Sequence, residues 1–187
     1  TIYAIKGKLQ LIIKETDNAI TSLGKAIKIQ TETNDNANLA GSYKTLGEVY
    51  IAKGEYYQAS DYFKSAKNLY AQEELYKGIA ETLLLEGKAF MLQQNYRIAR
   101  SILEQASAQA KKKGLLNTQS EALIKQSIVY SKLNDNAKAI QLANAGLQIA
   151  LDNEFISLSN EAHLTISNLY NDGGYYKMSR EHLNEHI

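Results

Sequence analysis

Apolar and small residues recur at helical spacing between residues 40 and 74. One stripe comprises Tyr43, Leu46, Gly47 and Tyr50. Gly54-Glu55 interrupts the pattern, and a second stripe then comprises Ala59, Phe63, Ala66 and Leu69. Residues three, four and seven positions apart lie on one face of an α-helix. The pattern therefore predicts two amphipathic helices joined by a short turn.

The same pattern returns every 40 residues along the chain. Small residues mark three of its positions: Gly7, Gly47, Gly87, Ser127 and Ser167; Ala19, Ala59, Ala99, Ala139 and Ser179; Ala26, Ala66, Ala106 and Gly146. Self-similarity at a fixed period of this size indicates a stacked repeat array. We interpret residues 1–187 as one solenoid domain of five repeats, with approximate bounds 1–34, 40–74, 76–113, 117–153 and 157–187.

Glycine in the middle of the first helix of repeats one to three predicts close contact between helices. Glycine inside a helix costs about 1 kcal/mol relative to alanine. Gly47 is therefore expected to make room for its partner helix, on which Ala59 is also small. Further along, Lys111 to Lys113 followed by Gly114 predicts the end of a helix, and Asn117 is expected to be the N-cap of the next one.

The order of Tyr43, Leu46, Gly47 and Tyr50, followed by Ala59, Phe63 and Ala66, resembles the tetratricopeptide repeat (TPR). The resemblance covers all five repeats and is strongest in repeats two and three. It implies an all-α, right-handed α-solenoid of five TPR-like helix hairpins. The period of 40 exceeds the usual 34, and Ala71 stands where the family has a closing proline. We expect the extra residues to lengthen mainly the second helix of each pair and the start of the next.

Long-period arrays of this kind resemble those of kinesin light chains, spindle-orientation adaptors and bacterial signalling proteins. In the bacterial group the array often precedes a histidine kinase, a DNA-binding or a cyclase output domain. Lys outnumbers Arg 18 to 3 and Asn is abundant, a composition that favours the bacterial group. Because Thr1 and Ile187 both lie inside helical patterns, we expect this segment to be an excerpt of a longer protein.

The composition excludes several classes of protein. A net charge of +1 gives no electrostatic reason to bind nucleic acid or an anionic membrane surface. The longest apolar runs are a few residues, too short to insert into a membrane. The absence of Cys excludes disulfides and thiolate metal sites but leaves the compartment open, bacterial cytoplasm or periplasm.

A partner-binding groove is predicted on the concave face, which the first helix of each repeat lines in TPR arrays. The positions that map there are Lys44, Glu48, Leu84, Leu85, Lys88, Met91, Ile124, Lys125 and Ile128. An apolar strip beside a row of ammonium groups suits a protein or peptide with carboxylates. The alternative is that the Leu and Ile residues are buried against the next repeat. A clamp for a C-terminal carboxylate is not expected, since Glu48 and Leu85 stand where it needs Asn.

Other candidate chemistry is weaker. His182 and His186 lie four residues apart, which is metal-ligand spacing, but they fall in a partly polar terminal helix, so we predict no metal site. His163 falls at a packing position, and no nucleophile arrangement or phosphate loop is present. Adjacent tyrosines, Tyr56-Tyr57 and Tyr175-Tyr176, are interpreted as packing residues.

These features favour a non-catalytic module that recognises a protein or peptide and needs no cofactor. The sensory or regulatory region of a bacterial signal-transduction protein is the leading hypothesis. A structural scaffold or adaptor without signalling output is the alternative, and a homodimer is possible under either.

Overall fold

The computed structural model describes residues 1–185. Within that range the chain has ten α-helices and no strand, which confirms the predicted all-α fold. In chain order the helices are α1 Ile2–Ile12, α2 Thr16–Glu32, α3 Asn36–Lys53, α4 Tyr56–Gln72, α5 Tyr76–Leu92, α6 Tyr96–Lys112, α7 Leu116–Lys132, α8 Asn136–Asp152, α9 Ile156–Asp172 and α10 Tyr176–Glu185. Two helices therefore fall in each repeat of the sequence.

The helices form two compact units, a first unit with α1 to α5 and a second unit with α6 to α10. In the first unit each helix packs on the next along the chain, and α3 also contacts α1 and α5. In the second unit the same succession holds, and α7 also contacts α9. The odd-numbered helices of a unit are thus neighbours. We call the surface that they form within each unit its odd-helix face.

A residue with positive φ follows each of the first nine helices, at intervals of 20 residues. The φ values lie between +54° and +80°, at Lys14, Asn34, Gly54, Glu74, Gln94, Gly114, Asn134, Glu154 and Gly174. After eight of these residues the next N–H donates to a carbonyl five positions earlier, as from Glu55 to Tyr50. This is the Schellman closure of a helix C-terminus. The backbone therefore has a half-repeat of 20 residues, which the 40-residue pattern of side chains conceals.

Replacing a non-glycine residue at one of these turns with glycine should stabilise the chain. We expect Glu74→Gly to raise the free energy of unfolding by about 1 kcal/mol, because glycine has no Cβ to clash in the left-handed conformation. Gly54→Ala should lower it by a similar amount for the same reason. Urea denaturation followed by circular dichroism measures both changes. Two shifts of the same sign would contradict the backbone argument.

The extra length of the repeat is shared by both helices of a hairpin. Helix α3 has 18 residues and α4 to α9 have 17 each. The expectation of lengthening mainly in the second helix of each pair and at the start of the next is wrong, because the same left-handed turn follows each of the first nine helices. The predicted helix end is confirmed, since α6 ends at Lys112 and Gly114 has φ +66°. Asn117 is not an N-cap: it lies in the first turn of α7, and Leu115 precedes that helix as its N-cap.

The predicted close contact at helix-interior glycines is confirmed for Gly7 and Gly47. A Cβ atom on Gly47 would lie 2.3 Å from Cε1 of Phe63, and one on Gly7 would lie 2.6 Å from Cγ of Leu23. Both large side chains are fully buried. Phe63 and Leu23 therefore fill the space that each glycine leaves on the partner helix, and this interlock explains why glycine is accepted in the helix interior.

Repeat four reverses this interlock. Its glycine, Gly146, lies on the second helix, and a Cβ there would lie 2.8 Å from Cγ1 of Ile124 on the first. Ser120 donates a hydrogen bond of 2.8 Å to the carbonyl of Gly146 at the same crossing. Ile124 also belongs to the buried core of the second unit, which includes Leu147, Leu158 and Ile166.

Candidate functional site

Two cavities open on the odd-helix face. In the second unit a cavity of about 320 Å³ lies between α7 and α9, lined by Ile128, Ser131, Lys132, Thr165, Asn168, Leu169 and Asp172. In the first unit a cavity of about 260 Å³ is lined by α1 and α3 residues, including Lys8, Asn38, Lys44 and Thr45, and by Tyr70 of α4. Each cavity has walls from successive repeats, because neighbouring first helices leave a furrow between them.

Two of the predicted groove residues are buried in the core. Leu84 is 5% exposed and Ile124 is fully buried. Ile124 fills the space beside Gly146, so it cannot contact a partner. For these two residues the groove prediction is wrong, and the packing alternative is correct. The cause is that each lies on the side of its helix that faces a neighbouring helix.

Seven predicted groove residues keep some exposure, namely Lys44, Glu48, Leu85, Lys88, Met91, Lys125 and Ile128. Leu85 packs partly against the Phe63 cluster. Ile128 lines the cavity of the second unit. Lys44 lines the cavity of the first. Each cavity is thus lined by one residue of the predicted groove, Lys44 in the first unit and Ile128 in the second.

The predicted lysine row is partly neutralised within the chain. Lys44 forms an ion pair of 2.6 Å with Glu81 of α5. Lys125 forms an ion pair with Glu161 of α9. Burial alone would lower the pKa of Lys44, but the hydrogen bond to Glu81 and the nearby negative groups outweigh it, so that pKa is raised. These lysines tie successive first helices together, and they offer a ligand less positive charge than the sequence suggested.

Glu48 is a half-buried carboxyl group on the odd-helix face of the first unit. Burial raises its pKa above the ordinary value, and the positive charges of Lys44, Lys8 and Lys88 only partly oppose this. A carboxyl group held in an environment that disfavours its charge lowers the stability of the fold.

Neutralising Glu48 should therefore stabilise the chain near neutral pH. Because its folded-state pKa is above the unfolded value, stability falls as pH rises from the unfolded pKa through the folded one. We expect Glu48→Gln to raise the melting temperature at pH 7 and to leave it nearly unchanged well below pH 4, where both states are protonated. Scanning calorimetry at the two pH values measures the difference. An equal shift at both values would contradict the assignment.

Sequence reasoning missed part of this site. Lys8, Asn38 and Tyr70 were not recognised because they come from three different helices, and only packing brings them to one cavity. Asp172 follows from the repeat register, since it lies 40 residues after Lys132 on the next first helix. The packing prediction holds for one tyrosine of each adjacent pair, since Tyr56 packs against the Phe63 cluster and Tyr175 contacts Tyr170 edge to face. Tyr57 and Tyr176 are exposed.

Other chemistry is limited in the described part of the chain. Residues 1–185 contain no cluster of three or more His, Cys, Asp or Glu side chains placed to hold a metal ion. None of the helices in that range is both long and apolar enough to span a membrane. His186, half of the pair weighed in the sequence, lies outside the described residues. His182 instead approaches His163, with 3.2 Å between their Nδ1 atoms.

Comparison with known proteins identifies the fold. No family model and no curated protein matches the chain. The apo form of RapI has a TM-score of 0.88 at 17% identity, over 99% of this chain and 68% of that one. A Rap protein complexed with Competence and Sporulation Factor has a TM-score of 0.84 at 18% identity, over 99% of this chain and 52% of that one.

The kinesin light chain TPR-like repeats of Podosopora anserina give a TM-score of 0.78 at 14% identity, over 98% of this chain and 91% of that one. At these identities the likeness concerns the fold. The chain is therefore a TPR-like array of helix hairpins, and the predicted resemblance is confirmed at that level. It spans about half of the Rap protein seen in the complex, so the activities of such longer proteins do not transfer with the fold.

Proposed function

We propose that this chain is a non-catalytic module that recognises a protein or peptide on its odd-helix face, which corresponds to the predicted concave groove. The observation that carries the proposal is the pair of cavities, one in each unit, each lined by two first helices of successive repeats, with Tyr70 of α4 added in the first unit. A ligand bound there would contact two repeats at once. Binding would then favour one spacing of neighbouring hairpins, a change that a repeat array can pass along its length.

The cavity of the second unit suits a short amphipathic segment. Ile128 and Leu169 supply apolar surface, while Asn168 and Thr165 supply hydrogen-bonding groups. Lys132 and Asp172 add one charge of each sign. Pockets that combine apolar walls with a few polar groups are the usual form of peptide and small-ligand sites.

We further propose that the module is the sensory or regulatory region of a bacterial signal-transduction protein. The likeness in fold to a Rap protein complexed with Competence and Sporulation Factor supports this context. The alternative is a scaffold or adaptor without signalling output, and the likeness in fold to kinesin light chain TPR-like repeats is compatible with it. The gene sequence after Ile187 separates them: a kinase, cyclase or DNA-binding pattern supports the sensor, and further repeats support the scaffold.

Peptides selected from a random display library against the full chain test the recognition role. We expect enriched peptides to bind the native chain and to lose about tenfold or more in affinity on Asn168→Trp, which fills the cavity of the second unit. Met91→Glu, which places a charge on the predicted groove surface of α5 outside the cavities, should have a similar effect. Fluorescence anisotropy measures the affinity.

Matched controls lie on the even-numbered helices. Tyr57 of α4 is 78% exposed and Leu151 of α8 is 51% exposed. Tyr57→Glu and Leu151→Glu should leave the affinity unchanged. If these variants weaken binding while Asn168→Trp and Met91→Glu do not, the ligand binds elsewhere. If no peptide is enriched, peptide recognition is contradicted.

A further inference from the structure

Two histidines face each other in repeat five, where repeat two has tyrosines. His163 of α9 and His182 of α10 lie 120 residues after Tyr43 and Tyr62. Tyr170, likewise, lies 120 residues after Tyr50. In repeat two, Tyr62 stacks on Tyr43 and on Tyr50. The trio in repeat five has the same arrangement, with His182 between His163 and Tyr170.

The exchange of phenol for imidazole changes the chemistry at this position. Each imidazole has a ring nitrogen whose lone pair can bind a metal ion. The Nδ1 atoms of His163 and His182 are 3.2 Å apart, and His163 is only 5% exposed. Without an ion, one Nδ1 donates a hydrogen bond to the other, so that the two rings share a proton.

The distance between the nitrogens matches the geometry of a metal site. Zinc binds imidazole nitrogen at about 2.0–2.1 Å, and two such nitrogens 3.2 Å apart subtend about 100° at the ion, close to tetrahedral. We propose that His163 and His182 form a two-histidine binding site for a divalent transition-metal ion of the zinc, cobalt, nickel or copper type. For both Nδ1 atoms to bind the ion, the ring that donates from Nδ1 must carry its proton on Nε2 instead, which leaves both rings neutral.

The surroundings hold the two rings in place. Tyr170 stacks on His182 with a centroid distance of 5.8 Å. Ser167 and Ser179 share a hydrogen bond of 3.0 Å that ties α9 to α10 beside the pair. Rigid support of this kind fixes the orientation of metal-binding histidines.

The ligand set determines which ions bind and how. Imidazole nitrogen favours zinc and its neighbours over the hard ions Mg²⁺ and Ca²⁺, which need oxygen ligands. The described residues place no third His, Cys, Asp or Glu beside this pair.

Titration of the full chain with CoCl₂ and with ZnCl₂ tests the site. We expect the visible absorption of bound Co²⁺ to saturate at one equivalent, and Zn²⁺ to displace it. His163→Tyr and His182→Tyr should each weaken Co²⁺ binding at least about tenfold. Loss of a residue that only hydrogen-bonds to a metal ligand already weakens metal binding by about that factor. Both variants should keep their helical circular dichroism, because Tyr43 and Tyr62 occupy the equivalent positions in repeat two.

Further variants separate this site from other histidine pairs. His186→Asn should leave saturation intact, and MgCl₂ should produce no binding signal in calorimetry. Absence of saturable Co²⁺ binding to the unmodified chain would overturn the proposal. So would unchanged binding in a folded His163→Tyr variant, or loss of binding in His186→Asn alone, which would point to His182 and His186 as the ligands. None of these outcomes depends on peptide binding at the odd-helix face.

Discussion

Gly47→Ala should destabilise the first unit by about 1–3 kcal/mol, although alanine is the better helix former. A Cβ atom at this position would lie 2.3 Å from Cε1 and 2.6 Å from Cδ1 of the Phe63 ring. Phe63 is fully buried and cannot move aside without displacing its neighbours. Urea denaturation followed by circular dichroism at 222 nm measures the change in the free energy of unfolding.

Gly24 provides the matched control. It lies inside α2, and a Cβ there would meet nothing within 4 Å. Gly24→Ala should therefore stabilise the chain by about 1 kcal/mol, the ordinary gain of alanine over glycine in a helix. The clash account also requires that Gly47→Ala become favourable once Phe63→Ala has removed the ring. Equal effects of alanine at positions 24 and 47 would disprove the interlock.

Lys67→Ser should destabilise the first unit by about 3 kcal/mol, because it leaves a buried carboxylate without its counter-charge. Lys67 of α4 forms an ion pair with Glu86 of α5, whose side chain is only 8% exposed. Ser60 donates the other hydrogen bond to this carboxylate, at 3.2 Å. After loss of Lys67 that single neutral donor remains, which is too little to offset the cost of a buried charge.

The chain itself supplies the compensating change. Forty residues later the same two positions hold Ser107 and Gln126, a neutral pair. Gln126 donates hydrogen bonds of 2.7 Å to Ser107 and 2.8 Å to the carbonyl of Leu103. The double variant Lys67→Ser with Glu86→Gln introduces the same neutral pair. Its free energy of unfolding should lie within about 1 kcal/mol of that of the unmodified chain. If the double variant is as unstable as Lys67→Ser alone, the buried charge is not the cause.

Much of the fold could be predicted because local sequence patterns decide it. The spacing of Tyr43, Leu46 and Tyr50 identifies a helix face without reference to any other segment. Glycine in register with a large residue on the partner helix predicts a close crossing, which Gly47 and Phe63 confirm. The division of length between helices could not be predicted in this way. Left-handed turns at Lys14, Glu74 and other non-glycine residues carry no clear mark in the sequence.

The candidate site was harder to predict than the fold. A position in a repeat indicates which helix a residue occupies, but burial depends on the neighbouring helix as well. Ile124 maps to the groove by register, yet the absence of a side chain at Gly146 draws it into the core. Lys44 and Lys125 were assigned to a ligand, whereas Glu81 and Glu161 of the next first helices pair with them.

The sequence by itself determined the class of fold. Small and apolar residues recur every 40 positions, and this repeat specifies paired helices that each bury one face. Only the tertiary structure decided which side chains meet across those helices. It brought His182 within 3.2 Å of His163, a residue 19 positions earlier in the chain. Periodicity along a chain fixes which face of a helix a residue occupies, whereas the pairing of residues far apart in sequence depends on the volumes and charges that pack between helices.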